Sequence, residues 1–179
     1  MGISPLKNKA VFLDRDGVLN RAIVRDGKPY PPASLAEFEI LPRTKEALDK
    51  LKAAGYLLIV VTNQPDVGRG TQQKSIVEEM HEVLRTILPL DEIYVCYHGY
   101  DGECECRKPQ PGMLLAAARE FKIDLKKSFM IGDRSKDIEA GKAAGCRSVL
   151  IERKYQERLR SLPDKLVHNF VEAVEWILE

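Results

Sequence analysis

The sequence predicts an α/β protein with a Rossmann-like parallel sheet and helices on both faces. Short apolar runs rich in Val, Ile, Leu and Phe alternate with longer segments of helical period. The apolar runs show no polar alternation, which is typical of strands buried on both faces. The chain has 179 residues, 44% of them hydrophobic, which is enough for one compact core. We therefore expect residues 1–179 to form a single domain.

The elements follow one another in a regular order. The predicted strands are residues 10–14, 57–62, 93–97, 128–133 and 148–151. The predicted helices are residues 42–55, 72–88, 111–121, 135–144 and 167–178. The first helix has Pro42 near its start and Gly55 at its end, which are the usual residues at those positions. Strands that alternate with helices in this way pair in parallel.

Charge and hydropathy exclude several classes of partner. The 28 basic and 27 acidic residues nearly cancel, so no electrostatic argument favours nucleic acid or an anionic membrane. No apolar run approaches the roughly 20 residues of a membrane helix. The first ten residues, MGISPLKNKA, lack the apolar core of a signal peptide. We expect a cytoplasmic protein and, because no interface pattern is legible, a monomer.

Polar side chains follow four of the predicted strands, where each strand ends. The carboxyl ends of parallel strands share one edge of the sheet, and ligands bind at that edge. The side chains in question are, in chain order, Asp14, Asp16, Thr62, Asn63, Gln64, Arg107, Lys108, Asp133 and Asp137. Together they suit a phosphate and a divalent cation.

The four carboxylates in this set would repel one another, and a hard cation such as Mg²⁺ would remove that conflict. The Thr62 hydroxyl and Lys108 could bind phosphoryl oxygens. One carboxylate could attack phosphorus and form an aspartyl-phosphate. A second carboxylate two residues further on would suit a general acid and base. Gly17 would allow a sharp turn out of the strand.

Four motifs in a fixed order carry a family resemblance. DRDGVLN, VTNQ, RKPQPG and GDRSKD, spread over residues 10 to about 151, resemble the haloacid dehalogenase-like phosphatase superfamily. DRDGVLN, VVTNQ, a Cys/His cluster and CRKPQPGML resemble its branch of D,D-heptose 1,7-bisphosphate and histidinol-phosphate phosphatases. Any one motif alone would be unspecific, since an Asp-x-Asp after a strand is commonly a helix cap or a solvated turn. The resemblance implies a phosphorylated sugar as the substrate.

The resemblance implies a role for each matching residue. Asp14 matches the nucleophile, and Asp16 matches the general acid/base. Thr62 and Lys108 match the phosphate-binding residues. The implied Mg²⁺ ligands are Asp14, the backbone carbonyl of Asp16, Asp133 and, through water, Asp137. Arg107 matches a substrate contact, and Asn63 and Gln64 border the same opening.

The segment RAIVRDGKPYPPA, residues 21–33, follows the first motif, where the family has a flap over the active site. It is either a plain surface loop or a segment in which Arg25 or Tyr30 touches the substrate. No large insertion separates the motifs, which predicts a minimal cap and an open site.

Three of the four cysteines lie within eleven residues and have a histidine among them. Cys96, His98, Cys104 and Cys106 form a suitable tetrahedral set for structural zinc, although the single-residue gaps are tighter than in ordinary zinc fingers. The resemblance implies zinc in this loop, but the intervening YHGYDGE departs from the family pattern. The alternative is reduced thiols in a flexible loop, because a Cys104–Cys106 disulfide would be strained.

Other functions remain open from the sequence. Histidinol-phosphate hydrolysis is the nearest alternative, and a polynucleotide 3′-phosphatase is disfavoured by the neutral charge. A signalling receiver domain also uses a phosphorylated Asp, but it needs no second Asp two residues away. A catalytically inactive, zinc-stabilised scaffold has no support, since every expected catalytic position is filled. His81 and His168 are interpreted as surface histidines or as histidines with satisfied hydrogen bonds.

Overall fold

The computed structural model describes residues 8–179 and contains eight strands, six α-helices and two short 3₁₀ helices within that range. The strands are β1 (Lys9–Leu13), β2 (Ile23–Arg25), β3 (Lys28–Tyr30), β4 (Tyr56–Asn63), β5 (Glu92–Cys96), β6 (Phe129–Gly132), β7 (Arg147–Ile151) and β8 (Lys165–Val167). The helices are α1 (Thr44–Ala53), α2 (Pro65–Gly68), α3 (Lys74–Ile87), α4 (Gly112–Glu120), α5 (Ser135–Ala144) and α6 (Phe170–Leu178). The expectation that the chain has no signal peptide concerns residues 1–10, and most of these lie outside the described residues.

The main sheet has six strands in the order β5-β4-β1-β6-β7-β8, and all neighbours pair in parallel. This confirms the predicted parallel sheet. In the central strand, Leu13 lies opposite Val60 of β4 and Ile131 of β6. The carboxyl ends of β1 and β6 are therefore nearly level, and β4 continues three residues further to Asn63. The polar residues at the ends of these strands meet at one edge.

Helices cover both faces of the sheet, as predicted. Because successive strand residues point to opposite faces, β1 contributes Val11 and Leu13 to one core and Ala10 and Phe12 to the other. Helices α1 and α6 pack in the first core and helices α4 and α5 in the second. Among residues 8–179, no helix is both long enough and apolar enough to cross a membrane.

The structure adds the short helix α2, which was not predicted, and it departs from the predicted elements before the last helix and within residues 21–33. The last helix begins at Phe170 rather than at residue 167, because the side chain of Asn169 accepts a hydrogen bond from Glu172 N at 3.0 Å and caps it. The preceding residues form the short edge strand β8. Within residues 21–33, β2 and β3 pair as an antiparallel hairpin. Strands of three residues carry too little pattern to be recognised in a sequence.

Phe129 connects the sheet to the C-terminal helix. Its ring packs edge-on against Tyr56, with centroids 6.0 Å apart, and against Trp176, at 5.8 Å. The guanidinium of Arg147 lies 4.3 Å from the Phe129 ring centroid. One buried aromatic side chain therefore joins β4, β6, β7 and α6.

We expect Phe129→Ala to destabilise the protein by about 3–5 kcal/mol, because it leaves a cavity and removes these aromatic contacts. Urea denaturation followed by far-UV circular dichroism measures the change. The matched control is Leu162→Ala, which alters a side chain that is 77% exposed and should change stability by less than about 0.5 kcal/mol. Similar losses in the two variants would contradict this description of the core.

Candidate active site

A single buried ammonium group joins two of the carboxylates at the sheet edge. Lys108 Nζ lies 2.8 Å from Asp14 Oδ1 and 2.7 Å from Asp137 Oδ1. Burial opposes the charge of Lys108, but Asp137 and Asp14 outweigh it and raise the pKa of the ammonium. Burial likewise opposes ionisation of Asp14, but the charges of Lys108 and Lys136 lower its pKa. The pair is therefore an ammonium and a carboxylate at neutral pH.

Asn63 fixes the backbone that carries this lysine. Its amide Nδ2 donates to Lys108 O at 3.0 Å, and its Oδ1 accepts from Lys108 N at 3.0 Å. The two bonds pair a side chain at the end of β4 with the main chain beyond β5. Asn63 thus sets the position from which the Lys108 side chain reaches Asp14.

Asp16 is held by three different side chains. Its carboxylate accepts from Arg15 Nη2 at 2.9 Å, from Asn20 Nδ2 at 2.9 Å and from Gln64 Nε2 at 2.9 Å. Gln64 Nε2 also donates to Thr62 Oγ1 at 3.0 Å, which leaves the hydroxyl hydrogen of Thr62 free to donate elsewhere. Two carboxylates two positions apart thus have different partners: an ammonium for Asp14, and a guanidinium and two amides for Asp16.

Asp133 has one satisfied and one unsatisfied oxygen. Its Oδ2 accepts from Tyr155 Oη at 2.7 Å, whereas Oδ1 is buried and has no hydrogen-bond partner among residues 8–179. Burial, followed by the charges of Asp14 and Asp137, raises the pKa of Asp133. Oxygens of Asp14, Asp133 and Asp137 lie within 4.8 Å of one another. An unpartnered carboxylate oxygen in such a cluster fits a hard cation such as Mg²⁺.

Asp137 belongs to both the carboxylate cluster and the start of helix α5. Its Oδ2 accepts from the backbone N–H of Asp133 at 3.2 Å and of Arg134 at 3.0 Å. Burial and the charge of Asp14 raise the pKa of Asp137, against the opposing effect of Lys108. A Cβ at Gly132 would collide with the Asp137 side chain, so the strand can end here only in glycine.

The turn after Asp16 needs a glycine for two reasons. Gly17 has φ +86°, and a Cβ at this position would collide with the Asp133 carboxylate. The carbonyl of Gly17 accepts from Arg153 Nη2 at 2.8 Å, which ties the turn to the segment after β7. The first motif and the fourth motif therefore touch through a residue that has no side chain.

The site opens into a cavity of about 1040 Å³. Asp14, Asp16, Asn63 and Asp133 lie on its wall, and Thr62, Gln64, Lys108 and Asp137 are buried behind them. The rim includes the β2–β3 hairpin with Tyr30, the side chains of Arg69 and Tyr100, and residues 155–160. A backbone hydrogen bond of 2.8 Å from Gln156 N to Gly27 O joins the hairpin to the last of these segments.

Three residues expected at the substrate opening, Gln64, Arg25 and Arg107, do not line this cavity. The guanidinium of Arg25 stacks over the Tyr30 ring, 5.8 Å from its centroid. Arg107 donates to the carbonyls of Gly99 and Gly102. Among the described residues, Tyr30 lines the cavity but Arg25 and Arg107 do not.

The Cys/His cluster assembles as the sequence predicts. The Sγ atoms of Cys96 and Cys104 are 3.7 Å apart, those of Cys104 and Cys106 are 3.9 Å apart, and His98 Nδ1 lies 3.2 Å from Cys106 Sγ. Tetrahedral zinc with Zn–S bonds of about 2.3 Å needs sulfurs about 3.8 Å apart. The 2.8 Å between Cys96 and Cys106 Sγ would widen around a metal ion. All four cysteines of the chain are free, so these residues can hold zinc.

The loop that carries these ligands packs closely on its neighbours. A Cβ at Gly68 of α2 would collide with the backbone of Tyr97 and Gly99, and one at Gly112 of α4 would collide with Glu105. Burial acts to raise the pKa of the Cys104 thiol. Hydrogen bonds from the Arg107 backbone and from neighbouring cysteines outweigh burial and lower this pKa to about 7. This thiol can therefore supply a thiolate near neutral pH.

The sequence does not identify several of the residues that lie at the site. Arg15 and Lys136 stand inside quoted motifs, but no spacing marks them as functional. Tyr155, which contacts Asp133, belongs to none of the motifs. Asn20 ends the first motif and contacts Asp16 across a tight turn. Arg15 has no exposed surface, and only the fold shows that this charged side chain is buried.

Comparison with known proteins identifies relatives along most of the chain. A family model described as HAD-hydrolase-like matches residues 105–173. The D-glycero-beta-D-manno-heptose-1,7-bisphosphate 7-phosphatase of Pasteurella multocida is 40% identical over 154 residues, or 80% of each chain. The D-glycero-alpha-D-manno-heptose-1,7-bisphosphate 7-phosphatase of Burkholderia mallei is 39% identical over 158 residues, which cover 82% of this chain and 80% of the relative.

A solved structure shows the same architecture. The D,D-heptose 1,7-bisphosphate phosphatase from B. bronchiseptica, crystallised with magnesium and phosphate, superposes with a TM-score of 0.81. The two proteins are 29% identical, and the match covers 95% of this chain and 98% of the other.

We expect Tyr155→Phe to weaken Mg²⁺ binding about 10-fold, because the hydroxyl that orients the Asp133 carboxylate is lost. The shift of the melting temperature with Mg²⁺ concentration measures the affinity without any substrate. Tyr100→Phe, at another cavity-lining tyrosine, is the control and should bind Mg²⁺ like the wild type. Equal affinities in Tyr155→Phe and the wild type would contradict an orienting role.

Protein purified without a polyhistidine tag should contain about one equivalent of zinc, and Cys104→Ser should lose most of it. Elemental analysis by mass spectrometry measures both. Cys146→Ala, which removes the buried thiol outside the cluster, should keep its zinc. Less than about a tenth of an equivalent in fully active protein would contradict a structural zinc site.

Proposed function

The chain belongs to the heptose bisphosphate phosphatases of the haloacid dehalogenase-like superfamily, and we propose that it removes the 7-phosphate of D-glycero-D-manno-heptose 1,7-bisphosphate through an aspartyl-phosphate. The observation that carries this proposal is the contrast between Asp14 and Asp16. Both carboxylates lie on the cavity wall, but Asp14 is kept ionised by a buried lysine, whereas Asp16 accepts hydrogen bonds from a guanidinium and two amides. This division of environments suits one nucleophile and one acid/base group.

In the first half of the reaction, an Asp14 oxygen attacks phosphorus and the sugar oxygen leaves. Lys108 Nζ is already 2.8 Å from Asp14 Oδ1, so oxygens of a phosphoryl group on Asp14 lie within its reach. The free hydroxyl hydrogen of Thr62 suits a second phosphoryl oxygen. These groups are fixed before the substrate arrives, so stabilising the charge costs little reorganisation.

Asp16 acts in both halves of the reaction. Its carboxyl protonates the departing sugar oxygen, and the resulting carboxylate then removes a proton from the water that cleaves the aspartyl-phosphate. A receiver domain must preserve its phosphoryl group and has no use for such a residue. The placement of Asp16 on the cavity wall therefore favours a phosphatase over a signalling domain.

The residues that would hold Mg²⁺ are Asp14, the backbone carbonyl of Asp16, and Asp133. The unpartnered Oδ1 of Asp133 supports this assignment. Asp137, expected to act through water, also contacts Lys108 and two backbone N–H groups, which position it behind Asp133. Bound Mg²⁺ supplies positive charge against the phosphoryl oxygens.

The cavity suits a substrate that carries a second anionic group. Its wall includes the basic side chains Lys28, Arg69, Lys136, Arg158 and Arg160. Lys28 belongs to the hairpin, and Arg158 and Arg160 belong to residues 155–160. Arg69 follows α2, and Lys136 lies in the first turn of α5, where its charge acts on the carboxylate cluster. A volume of about 1040 Å³ leaves room for a sugar between two phosphates.

The proposal includes the compartment and the oligomeric state of the enzyme. We place it in the cytoplasm as a single-domain monomer, where reducing conditions keep the cluster cysteines available to a structural zinc. The zinc would order the loop that precedes Lys108 and would take no part in the chemistry.

Release of inorganic phosphate from a panel of phosphomonoesters, with Mg²⁺ present, tests this function. The panel contains both anomers of the heptose 1,7-bisphosphate, hexose phosphates, histidinol phosphate and a 3′-phosphorylated oligonucleotide. We expect rapid release from a heptose bisphosphate and a loss of at least about 10⁴-fold in Asp14→Asn, which lacks the nucleophile.

The control for folding is Asp49→Asn, which changes an exposed carboxylate on α1 that pairs with Lys45 at 2.7 Å. This variant should keep full activity. Preferred hydrolysis of histidinol phosphate would retain the mechanism but contradict the proposed substrate. Undiminished turnover in Asp14→Asn would contradict the nucleophile.

A further inference from the structure

A row of buried polar side chains leads from helix α3 to the acid/base residue. Arg15 has no exposed surface, and His81 on α3 is 4% exposed. Arg15 Nη1 lies 3.1 Å from His81 Nε2. The opposite edge of the same guanidinium contacts the Asp16 carboxylate, through Nε at 3.1 Å and Nη2 at 2.9 Å. The sequence suggested no role for His81 beyond a surface or satisfied histidine.

The direction of the hydrogen bond between Arg15 and His81 follows from chemistry. A guanidinium has five N–H donors and no acceptor, so Arg15 donates and His81 Nε2 accepts. The imidazole must then be neutral and carry its proton on Nδ1. Burial and the positive charge of Arg15 lower the pKa of His81 to about 3, against the opposing charge of Asp16. His81 therefore keeps its acceptor lone pair at every pH of ordinary assays.

This acceptor fixes the orientation of the guanidinium. Because the group is planar, holding Nη1 against His81 turns the Nε and Nη2 edge towards Asp16. Without His81, a buried Nη1 would lose its partner, and the guanidinium would turn to find another or admit water. Either change would move the edge that contacts the Asp16 carboxylate.

We propose that His81 is a positioning residue for proton transfer: it holds Arg15, and Arg15 holds the Asp16 carboxyl group where the leaving oxygen receives its proton. This inference rests on the proposed function, because it assumes that Asp16 is the general acid. His81 touches neither the substrate nor the reacting atoms.

A leaving-group comparison separates positioning from general structural support. The sugar oxygen of a heptose bisphosphate must be protonated as it leaves, whereas the phenolate of p-nitrophenyl phosphate leaves without a proton. For each substrate, kcat/KM reports the steps up to loss of the leaving group. A displaced Asp16 therefore lowers kcat/KM for the sugar phosphate and has little effect on kcat/KM for the aryl phosphate.

The variants are His81→Leu, which removes the acceptor, and His81→Gln, whose amide oxygen can replace it. We expect His81→Leu to lower kcat/KM about 10-fold for the heptose bisphosphate and less than about 2-fold for the aryl phosphate. His81→Gln should restore most of the loss. The control is His168→Leu, at a histidine whose side chain is 75% exposed, and it should leave both values unchanged.

The ratio of the two kcat/KM values does not depend on the fraction of folded enzyme, so partial unfolding of His81→Leu does not obscure the result. Equal losses for both substrates, or no loss for either, would overturn the positioning role. The wild type decides the proposed function separately: an enzyme that hydrolyses neither substrate overturns both the function and this inference.

Discussion

The active site depends on one buried lysine shared between two carboxylates. Lys108 lies between Asp14 and Asp137, and both of its partners are almost fully buried. Removing the ammonium would leave uncompensated buried charge, at a cost of about 3–5 kcal/mol when one partner of a buried pair is lost. The same ion pair keeps Asp14 ionised. The interaction that stabilises the acidic cluster therefore also keeps the nucleophile Asp14 in its reactive, ionised form.

The rest of the structure brings this lysine to its position. Parallel pairing brings the carboxyl ends of β1, β4 and β6 to one edge of the sheet, and Asn63 at the end of β4 holds the Lys108 backbone through two hydrogen bonds. The Cys/His loop comes immediately before Lys108 in the chain, and Arg107 donates to carbonyls within that loop. Zinc would thus support catalysis at a distance, by fixing the loop from which Lys108 extends.

The sequence predicts the parts of the site that lie at strand ends. Asp14, Thr62 and Asp133 follow apolar runs, and the geometry of a parallel sheet brings such residues together without further information. The sequence predicts helix α5 with the bounds that the structure shows, because Gly145 marks its end. The contacts of Arg15, His81 and Tyr155 could not be predicted, since they depend on how α3 and the segment after β7 pack against the sheet. For Arg107 the family resemblance predicts a substrate contact, but its hydrogen bonds here lie within its own loop.

In the proposed mechanism, Asp14 carries the phosphoryl group during turnover. Rapid acid quenching of the enzyme with excess heptose bisphosphate and Mg²⁺, followed by peptide mass spectrometry, tests it directly. If Asp14 is the nucleophile, one phosphoryl group appears on the peptide that contains Asp14 within the first turnover and is lost as the substrate is exhausted. A phosphoryl group on another residue, or turnover with an unmodified enzyme at every quench time, would show that Asp14 is not the nucleophile.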